Sequence, residues 1–146
     1  MRYLLSISII FTALILFSGC NKCDPTNDLN GIIVEDAIVR VIDATVAGPQ
    51  FINSASEYNA EIEVSFDEGL TYQPVDFTEY TVFALPTTAS CSSGYSRDVS
   101  ANDPNETVTY SIIITECDYC EGTTSIPNWV ITTKVPASYT PIYEVD

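Results

Sequence analysis

Short segments in which apolar and polar residues alternate are the feature of this sequence that most constrains its fold. Between residues 58 and 66 (YNAEIEVSF) every second residue is apolar, and the residues between them are Asn, Glu, Glu and Ser. Successive side chains of a strand point to opposite faces, so this pattern predicts a half-buried β-strand with a solvated acidic face. Further strands are predicted at residues 79–85 (EYTVFAL), 107–115 (TVTYSIIIT), 129–135 (WVITTKV) and 141–145 (PIYEV). The last of these begins with proline, which favours a sheet edge.

Residues 31–46 (GIIVEDAIVRVIDATV) fit a helix and a strand almost equally well. Seven Ile or Val residues fall within residues 31–42. Branched side chains lose rotamer freedom in helices, and this favours strand, with a break near Glu35 and Asp36. Six to eight short strands with intervening turns and no second helical segment predict an all-β fold, an antiparallel β-sandwich of the immunoglobulin-like kind. We expect a single domain over residues 31–146.

The N-terminus has the pattern of an export signal. A positive charge at Arg2 precedes a mostly apolar run over residues 3–17, which is shorter than the roughly 20 residues of a membrane-spanning helix. The run ends in Phe17, Ser18, Gly19 and Cys20, which resembles the lipobox of bacterial lipoproteins. The resemblance covers residues 1–20 only, and implies removal of residues 1–19 and lipidation of Cys20. Residues 20–30 would then form a lipidated tether to the membrane.

Asn21 follows the cysteine, where an Asp would suggest retention in the inner membrane of some diderm bacteria. The favoured location is therefore the outer membrane of a diderm bacterium.

Charge and composition exclude several functions. The chain has five basic residues against 20 acidic ones, no histidine and a formal net charge of -15. This charge argues against nucleic acid as a partner, because binding a polyanion requires Lys and Arg to displace its counterions. Catalysis by a Ser-His-Asp or Cys-His arrangement and metal binding by histidine are excluded. Loss of residues 1–19 would remove Arg2 and make the charge -16.

Four cysteines remain once Cys20 is assigned to the lipid: Cys23, Cys91, Cys117 and Cys120. An even number in an exported chain favours disulfides, because the compartment outside the inner membrane is oxidising. Three connectivities are possible. We favour bonds from Cys117 and Cys120 outward, one to Cys23 and the other to Cys91, which would attach the tether and a loop at residues 86–101 to the end of the 107–115 strand.

The CDYC segment at residues 117–120 has two alternative interpretations. A redox pair needs a lowered thiol pKa, and Glu116, Asp118 and Glu121 oppose the thiolate. A zinc site would need a second cysteine pair of similar spacing. Both are disfavoured, and we expect no cofactor and no enzymatic activity.

Two groups of acidic residues are candidate sites. Asp103, Asn105 and Glu106 offer oxygen ligands for calcium in a predicted loop, although a solvated turn is the favoured interpretation. Glu61 and Glu63 share one strand face about 7 Å apart, which is compatible with a glycosidase pair but more typical of a solubilising surface.

The aromatic residues divide into two groups. Tyr58, Phe66, Tyr110 and Trp129 occupy alternation positions and are predicted to be core. The tyrosines in predicted loops or near the C-terminus stack on sugars, anchor a partner or pack locally, and local packing is favoured; they are Tyr72, Tyr95, Tyr119, Tyr139 and Tyr143. The sequence thus predicts a lipid-anchored, non-enzymatic envelope protein that acts as a binding or accessory module, with an unknown envelope protein or glycan as its partner. The alternatives are a calcium- or glycan-binding adhesin-like domain and a CxxC thiol-disulfide enzyme.

Overall fold

The computed structural model describes residues 26–42, 46–117 and 122–146, and their regular structure is almost entirely β-strand. The strands are β1 (Leu29–Gly31), β2 (Ile38–Ile42), β3 (Gln50–Ile52), β4 (Glu61–Ser65), β5 (Gln73–Pro74), β6 (Tyr80–Ala84), β7 (Thr87–Ser90), β8 (Gly94–Asn102), β9 (Thr107–Thr115), β10 (Thr123–Ile126), β11 (Val130–Thr133) and β12 (Thr140–Val145). A 3₁₀ turn at Asp103–Asn105 joins β8 to β9. The described residues contain no α-helix, so the all-β prediction is confirmed.

The largest sheet has the order β1-β8-β9-β12. β8 and β9 form a long antiparallel hairpin, with nine pairs running from Gly94 opposite Thr115 to Asn102 opposite Thr107. β1 and β12 pair with β8 and β9 in parallel orientation. The sheet is therefore mixed, whereas the sequence interpretation was purely antiparallel.

A central sheet has the order β11-β6-β3, and both of its faces are buried. Beyond this sheet, β7, which follows β6 in the chain, pairs with β10, which precedes β11. On one face, Phe83 and Val130 pack with Val99, Tyr110 and other residues of the large sheet, which is the sheet-on-sheet packing of a sandwich. On the other face, Val82 and Ile131 join a second core. Burial on both faces explains why β6 is nearly continuous in apolar residues.

The second core is covered by a third sheet of order β2-β4-β5. Ile62 and Val64 of β4 point into this core, and Val39 and Val41 of β2 pack against it. On the opposite face of β2, Ile38 and Ile42 are exposed to solvent. This sheet carries the candidate site at one of its ends.

Several strand predictions are confirmed. β9 has the predicted bounds. Residues 38–42 form β2 after the predicted break, a turn at Glu35 and Asp36 where the Ala37 amide donates to the Val34 carbonyl at 3.2 Å, whereas before the turn only an isolated bridge from Ile33 to Thr132 follows the end of β1. Residues 43–45 of that segment lie outside the described residues. Leu29 and Asn30, assigned to the tether, lie in β1.

The predicted loop at residues 86–101 is wrong, because this segment forms β7 and most of β8. β8 carries Arg97 and Asp98 and alternates less clearly than the other strands. In the structure, however, Tyr95 and Val99 of β8 are buried while Ser100 is exposed, as expected for a strand with one buried face.

No helix in the described part of the chain is both long enough and apolar enough to span a bilayer.

Candidate binding cleft

An open cleft of about 650 Å³ lies at the end of the third sheet where β2 begins and β4 ends. Its walls are the turn before β2, the first residue of β2 and the loop that follows β4. The lining residues are Glu35, Asp36, Ile38, Phe66, Asp67, Glu68 and Leu70. Three of these seven side chains are apolar and four are carboxylates.

The loop after β4 is held by hydrogen bonds around two side chains. Ser65 is fully buried, and its hydroxyl donates to Asp67 Oδ1 at 2.6 Å while accepting from the Gly69 amide at 2.9 Å. Asp67 Oδ1 also accepts from the Thr71 amide at 2.8 Å. Hydrogen bonds from Ser65 and Thr71 lower the pKa of the Asp67 carboxyl from 3.8 to about 2. Asp67 is therefore ionised at any physiological pH.

Two consecutive left-handed residues turn this loop at its tip. Glu68 has a φ of 58° and Gly69 a φ of 85°. A Cβ at Gly69 would lie 3.3 Å from the Tyr72 hydroxyl and 3.6 Å from Ile38 Cδ1, so the loop lies close against β2. Only glycine adopts this conformation without strain. The turn directs Leu70 into solvent, with 85% of the residue exposed.

Phe66 and Ile38 complete the apolar part of the cleft. Phe66 is 38% exposed and Ile38 is 43% exposed. The Phe66 ring lies 5.5 Å from that of Tyr80 in a tilted arrangement, which fixes it at the cleft wall. The prediction of Phe66 as core is wrong because β4 ends at Ser65, so the alternation continues one residue past the strand.

The four carboxylates of the cleft, those of Glu35, Asp36, Asp67 and Glu68, have no cation beside them among the lining residues. Arg40 lies on the same sheet but is bound elsewhere: its Nε donates to Glu63 Oε2 at 2.9 Å, and its guanidinium stacks 3.9 Å from the Tyr72 ring centroid. Lys134 donates to the carbonyls of Asn53 and Phe77. The cleft therefore has a negative potential that the described basic residues do not neutralise.

The predicted acidic sites lie away from this cleft and are engaged differently. Asp103 Oδ1 accepts a hydrogen bond from the Tyr139 hydroxyl at 2.6 Å, and this bond raises the Tyr139 pKa. Asp103 and Asn105 form the 3₁₀ turn, and Glu106 follows it. No group of three or more Asp, Glu, Cys or His residues in the described ranges is placed to hold a metal ion. Of the supposed glycosidase pair, Glu63 binds Arg40.

The cysteine predictions fall mostly outside the described residues. Cys91 and Cys117 are disulfide-bonded. Cys20, Cys23 and Cys120 are not among the described residues, so lipidation and the disulfide connectivity stay predictions.

The positions of most of these tyrosines agree with the prediction of local packing. Tyr95 is buried, Tyr143 packs against the first core, and Tyr72 lies under Arg40. Tyr119 lies outside the described residues. Among the predicted core aromatics, Tyr110 is fully buried, and Tyr58 packs edge-on to Trp129 beside the second core.

Sequence reasoning also missed a buried polar cluster centred on Asn128, at the interruption between β10 and β11. Asn128 Nδ2 donates to the Leu85 carbonyl and to Thr87 Oγ1, at 3.1 and 2.8 Å. Its Oδ1 accepts from Nε and Nη2 of Arg97, at 3.0 and 2.7 Å, and its carbonyl accepts from the Tyr110 hydroxyl at 2.7 Å. Burial raises the Tyr110 pKa. These bonds fix the junction between the central sheet, the β7-β10 pair and the large sheet.

A sequence signal existed for each missed feature. The Asp67-Glu68-Gly69 triplet directly follows an alternating strand, which indicates a turn, and an apolar Leu70 within such a turn is unusual. Pro127 followed by Asn128 similarly marks a break between two strands. Neither signal shows what the turn contacts.

No family model, curated protein or solved structure matches this chain.

Proposed function

We propose that the chain is a lipid-anchored protein of the cell envelope of a diderm bacterium, placed at the outer membrane. Its all-β domain acts as a non-enzymatic binding or accessory module. The anchor is supported by the charge, apolar run and small residues that precede Cys20. Two or three acyl chains would give lasting attachment, because each buried CH₂ contributes about 0.8 kcal/mol.

The observation that carries the binding role is the cleft beside β2 and β4. Leu70 is 85% exposed on a loop that Ser65 and Asp67 hold in place. A single exposed apolar residue is ordinary, but Ile38 and Phe66 line the same cleft. Adjacent exposed apolar side chains with a polar rim are typical of interaction surfaces.

The chemistry of Asp67 argues against one catalytic role in the same cleft, that of a general acid or base. A general acid or base works best when its pKa lies near the operating pH. Hydrogen bonds from Ser65 and Thr71 instead lower the pKa of Asp67 to about 2. Such a carboxylate provides a fixed negative charge, which suits binding.

The domain in this proposal is immunoglobulin-like and is stapled by two disulfides. The packing of Phe83 and Val130 against the large sheet supports the sandwich. One disulfide joins Cys23, and the other Cys91, to the pair formed by Cys117 and Cys120. A redox-active role for this pair is disfavoured, because the surrounding acidic residues oppose the thiolate that thiol-disulfide exchange requires.

Metabolic labelling with a fatty-acid analogue tests the anchor. The full-length chain, expressed in a diderm host, should incorporate the label and sediment with the outer membrane. Cys20→Ala should lose the label, while the matched variant Cys23→Ala should keep it. An unlabelled wild-type chain, or a labelled Cys20→Ala chain, would refute the anchor.

Site-specific photo-crosslinking in the same cells tests the binding role. A photoreactive residue at position 68 in the cleft should give discrete adducts with an envelope component. The same residue at position 144, which is exposed on β12 of the large sheet, serves as the control. No adducts, or the same adducts at both positions, would contradict a binding role for the cleft.

A further inference from the structure

We propose that the cleft binds a cationic segment of a partner polypeptide, in which Lys or Arg residues lie beside an aliphatic or aromatic side chain. This inference rests on the proposed binding function and specifies the chemistry of its ligand. The cleft residues that carry it are Ile38, Phe66 and Leu70, with the surrounding carboxylates.

The apolar side chains require an apolar group on the ligand. Leu70, at 85% exposure, presents nearly its whole side chain to solvent, and Phe66 and Ile38 expose about two fifths of theirs. Removing such surface from water is the main favourable contribution to most protein association. A ligand without an apolar side chain would leave this surface uncovered.

The carboxylates determine the charge of the ligand. Glu35, Asp36, Asp67 and Glu68 line the cleft without a basic residue among them. Because the hydrogen bonds from Ser65 and Thr71 hold Asp67 ionised, at least part of this charge persists in mildly acidic conditions. Complementary charge across an interface increases the association rate and selects the partner. Lys and Arg are the polypeptide groups that meet this requirement.

The same charge argues against two other occupants. A second copy of this chain would bring a further net charge of -15, and like charges across an interface are unfavourable. An anionic membrane surface would be repelled for the same reason. The described residues also provide no group of three or more ligands for a metal ion.

The size and rigidity of the cleft suit a short segment. Its volume of about 650 Å³ lies within the range of about 300–1,000 Å³ for sites that take small ligands. The loop that carries Leu70 is held by Ser65, Asp67 and the close approach of Gly69 to β2. A loop already ordered in the free protein loses little conformational freedom on binding.

A titration with defined peptides tests the proposal. The full-length protein, purified in a non-ionic detergent, is titrated with a short fluorescent peptide that alternates lysine with leucine. Two matched peptides replace leucine with serine or lysine with glutamate, and empty micelles provide the reference for each. We expect saturable binding of the lysine-leucine peptide above the micelle reference, weaker binding of the lysine-serine peptide and none of the glutamate-leucine peptide.

Surface variants locate that binding to the cleft. Leu70→Ser should weaken binding about tenfold or more, because it removes the most exposed apolar contact. Glu68→Gln should weaken it by up to about fivefold and reduce its dependence on salt. The matched variants Ile113→Ser and Glu144→Gln alter exposed residues of the large sheet, and should leave binding unchanged.

The possible outcomes separate this inference from the proposed function. If position 68 gives specific adducts in cells but the lysine-leucine peptide does not bind, the cationic ligand is wrong and the binding function stands. Equal binding of the lysine-serine peptide would overturn the apolar requirement, and binding of the glutamate-leucine peptide would overturn the charge requirement. Equal losses in Ile113→Ser and Leu70→Ser would show that the peptide does not bind in the cleft.

Discussion

Two polar regions of this molecule are built in opposite ways. The cluster around Asn128 is buried, and each polar atom of the Asn128 side chain is matched by a hydrogen-bond partner from a neighbouring strand or turn. The cleft is exposed, its carboxylates face no lining cation, and Leu70 points into solvent. A buried polar group with all partners present specifies how strands meet. A group of charges left without counter-charges is instead available to a ligand.

The comparison predicts that substitutions in the buried cluster change stability, whereas substitutions in the cleft change binding. The expected losses of unfolding free energy decrease in the order Asn128→Ala, Tyr110→Phe, Asp67→Ala and Leu70→Ser.

Asn128→Ala should cause the largest loss, about 3–5 kcal/mol of unfolding free energy. It leaves the Leu85 carbonyl and Thr87 hydroxyl without their donor and removes the acceptor of the Arg97 guanidinium. Asn128 also has a φ of 45°, which alanine adopts unfavourably. Asn128→Gly keeps the backbone conformation accessible, so it should be less destabilising by about 1 kcal/mol. Denaturant titration of both variants measures the difference, and a loss below about 1 kcal/mol for Asn128→Ala would contradict the structural assignment.

Tyr110→Phe should lower stability by about 1–2 kcal/mol, because it removes the donor to the buried Asn128 carbonyl. Tyr95→Phe is a matched control, since Tyr95 is also buried but its hydroxyl has no hydrogen-bond partner within the described part of the chain. Removing that hydroxyl should be neutral or stabilising by up to about 1 kcal/mol. Thermal or denaturant unfolding compares the two, and equal effects would show that the hydrogen bond is unimportant.

Asp67→Ala should cause a smaller, pH-dependent loss of stability, because it removes the hydrogen bonds that hold the cleft loop. The folded pKa is lowered, so the contribution is fully present above the ordinary value of 3.8 and is lost as pH falls towards about 2. The difference in unfolding midpoint between wild type and Asp67→Ala should therefore be constant near neutrality and shrink below that value. The unfolding midpoint of Asp67→Asn should lie between those of wild type and Asp67→Ala, because its Oδ1 can still accept hydrogen bonds from Ser65 and Thr71. A difference that persists at the lowest pH would show that the loss is independent of the carboxylate.

The sequence predicts features that depend on neighbouring residues better than features that depend on residues distant in the chain. The β9 strand was predicted with its final bounds because TVTYSIIIT has a strong local preference for strand. The break at Glu35 and Asp36 was also local, since those residues interrupt a β-branched run. β8 was missed because its outer residues are small, hydroxylated or charged. The two polar regions depend on contacts between distant residues, such as Arg97 with Asn128 and Ile38 with the loop carrying Leu70.

Phe66 shows the same limit within a single pattern. The alternation from residue 58 correctly placed Ile62 and Val64 in the core, but it did not show where the strand ended. One residue beyond that end, an apolar side chain belongs to the cleft instead of the core. Strand ends are set by hydrogen bonding to a partner strand, and here β2 pairs with β4 only as far as Ser65.

Leu70→Ser should have the smallest effect on stability, within about 0.5 kcal/mol, because the side chain is almost fully exposed in the folded protein. The same substitution should have the largest effect on binding of the lysine-leucine peptide. This opposite order is the sharpest test of the comparison, because a residue that contributed to packing would lose stability and binding together. Unfolding midpoints and peptide titrations on one preparation measure both quantities. A destabilisation as large as that of Tyr110→Phe would place Leu70 among the packing residues, and its exposure would then no longer argue for a ligand.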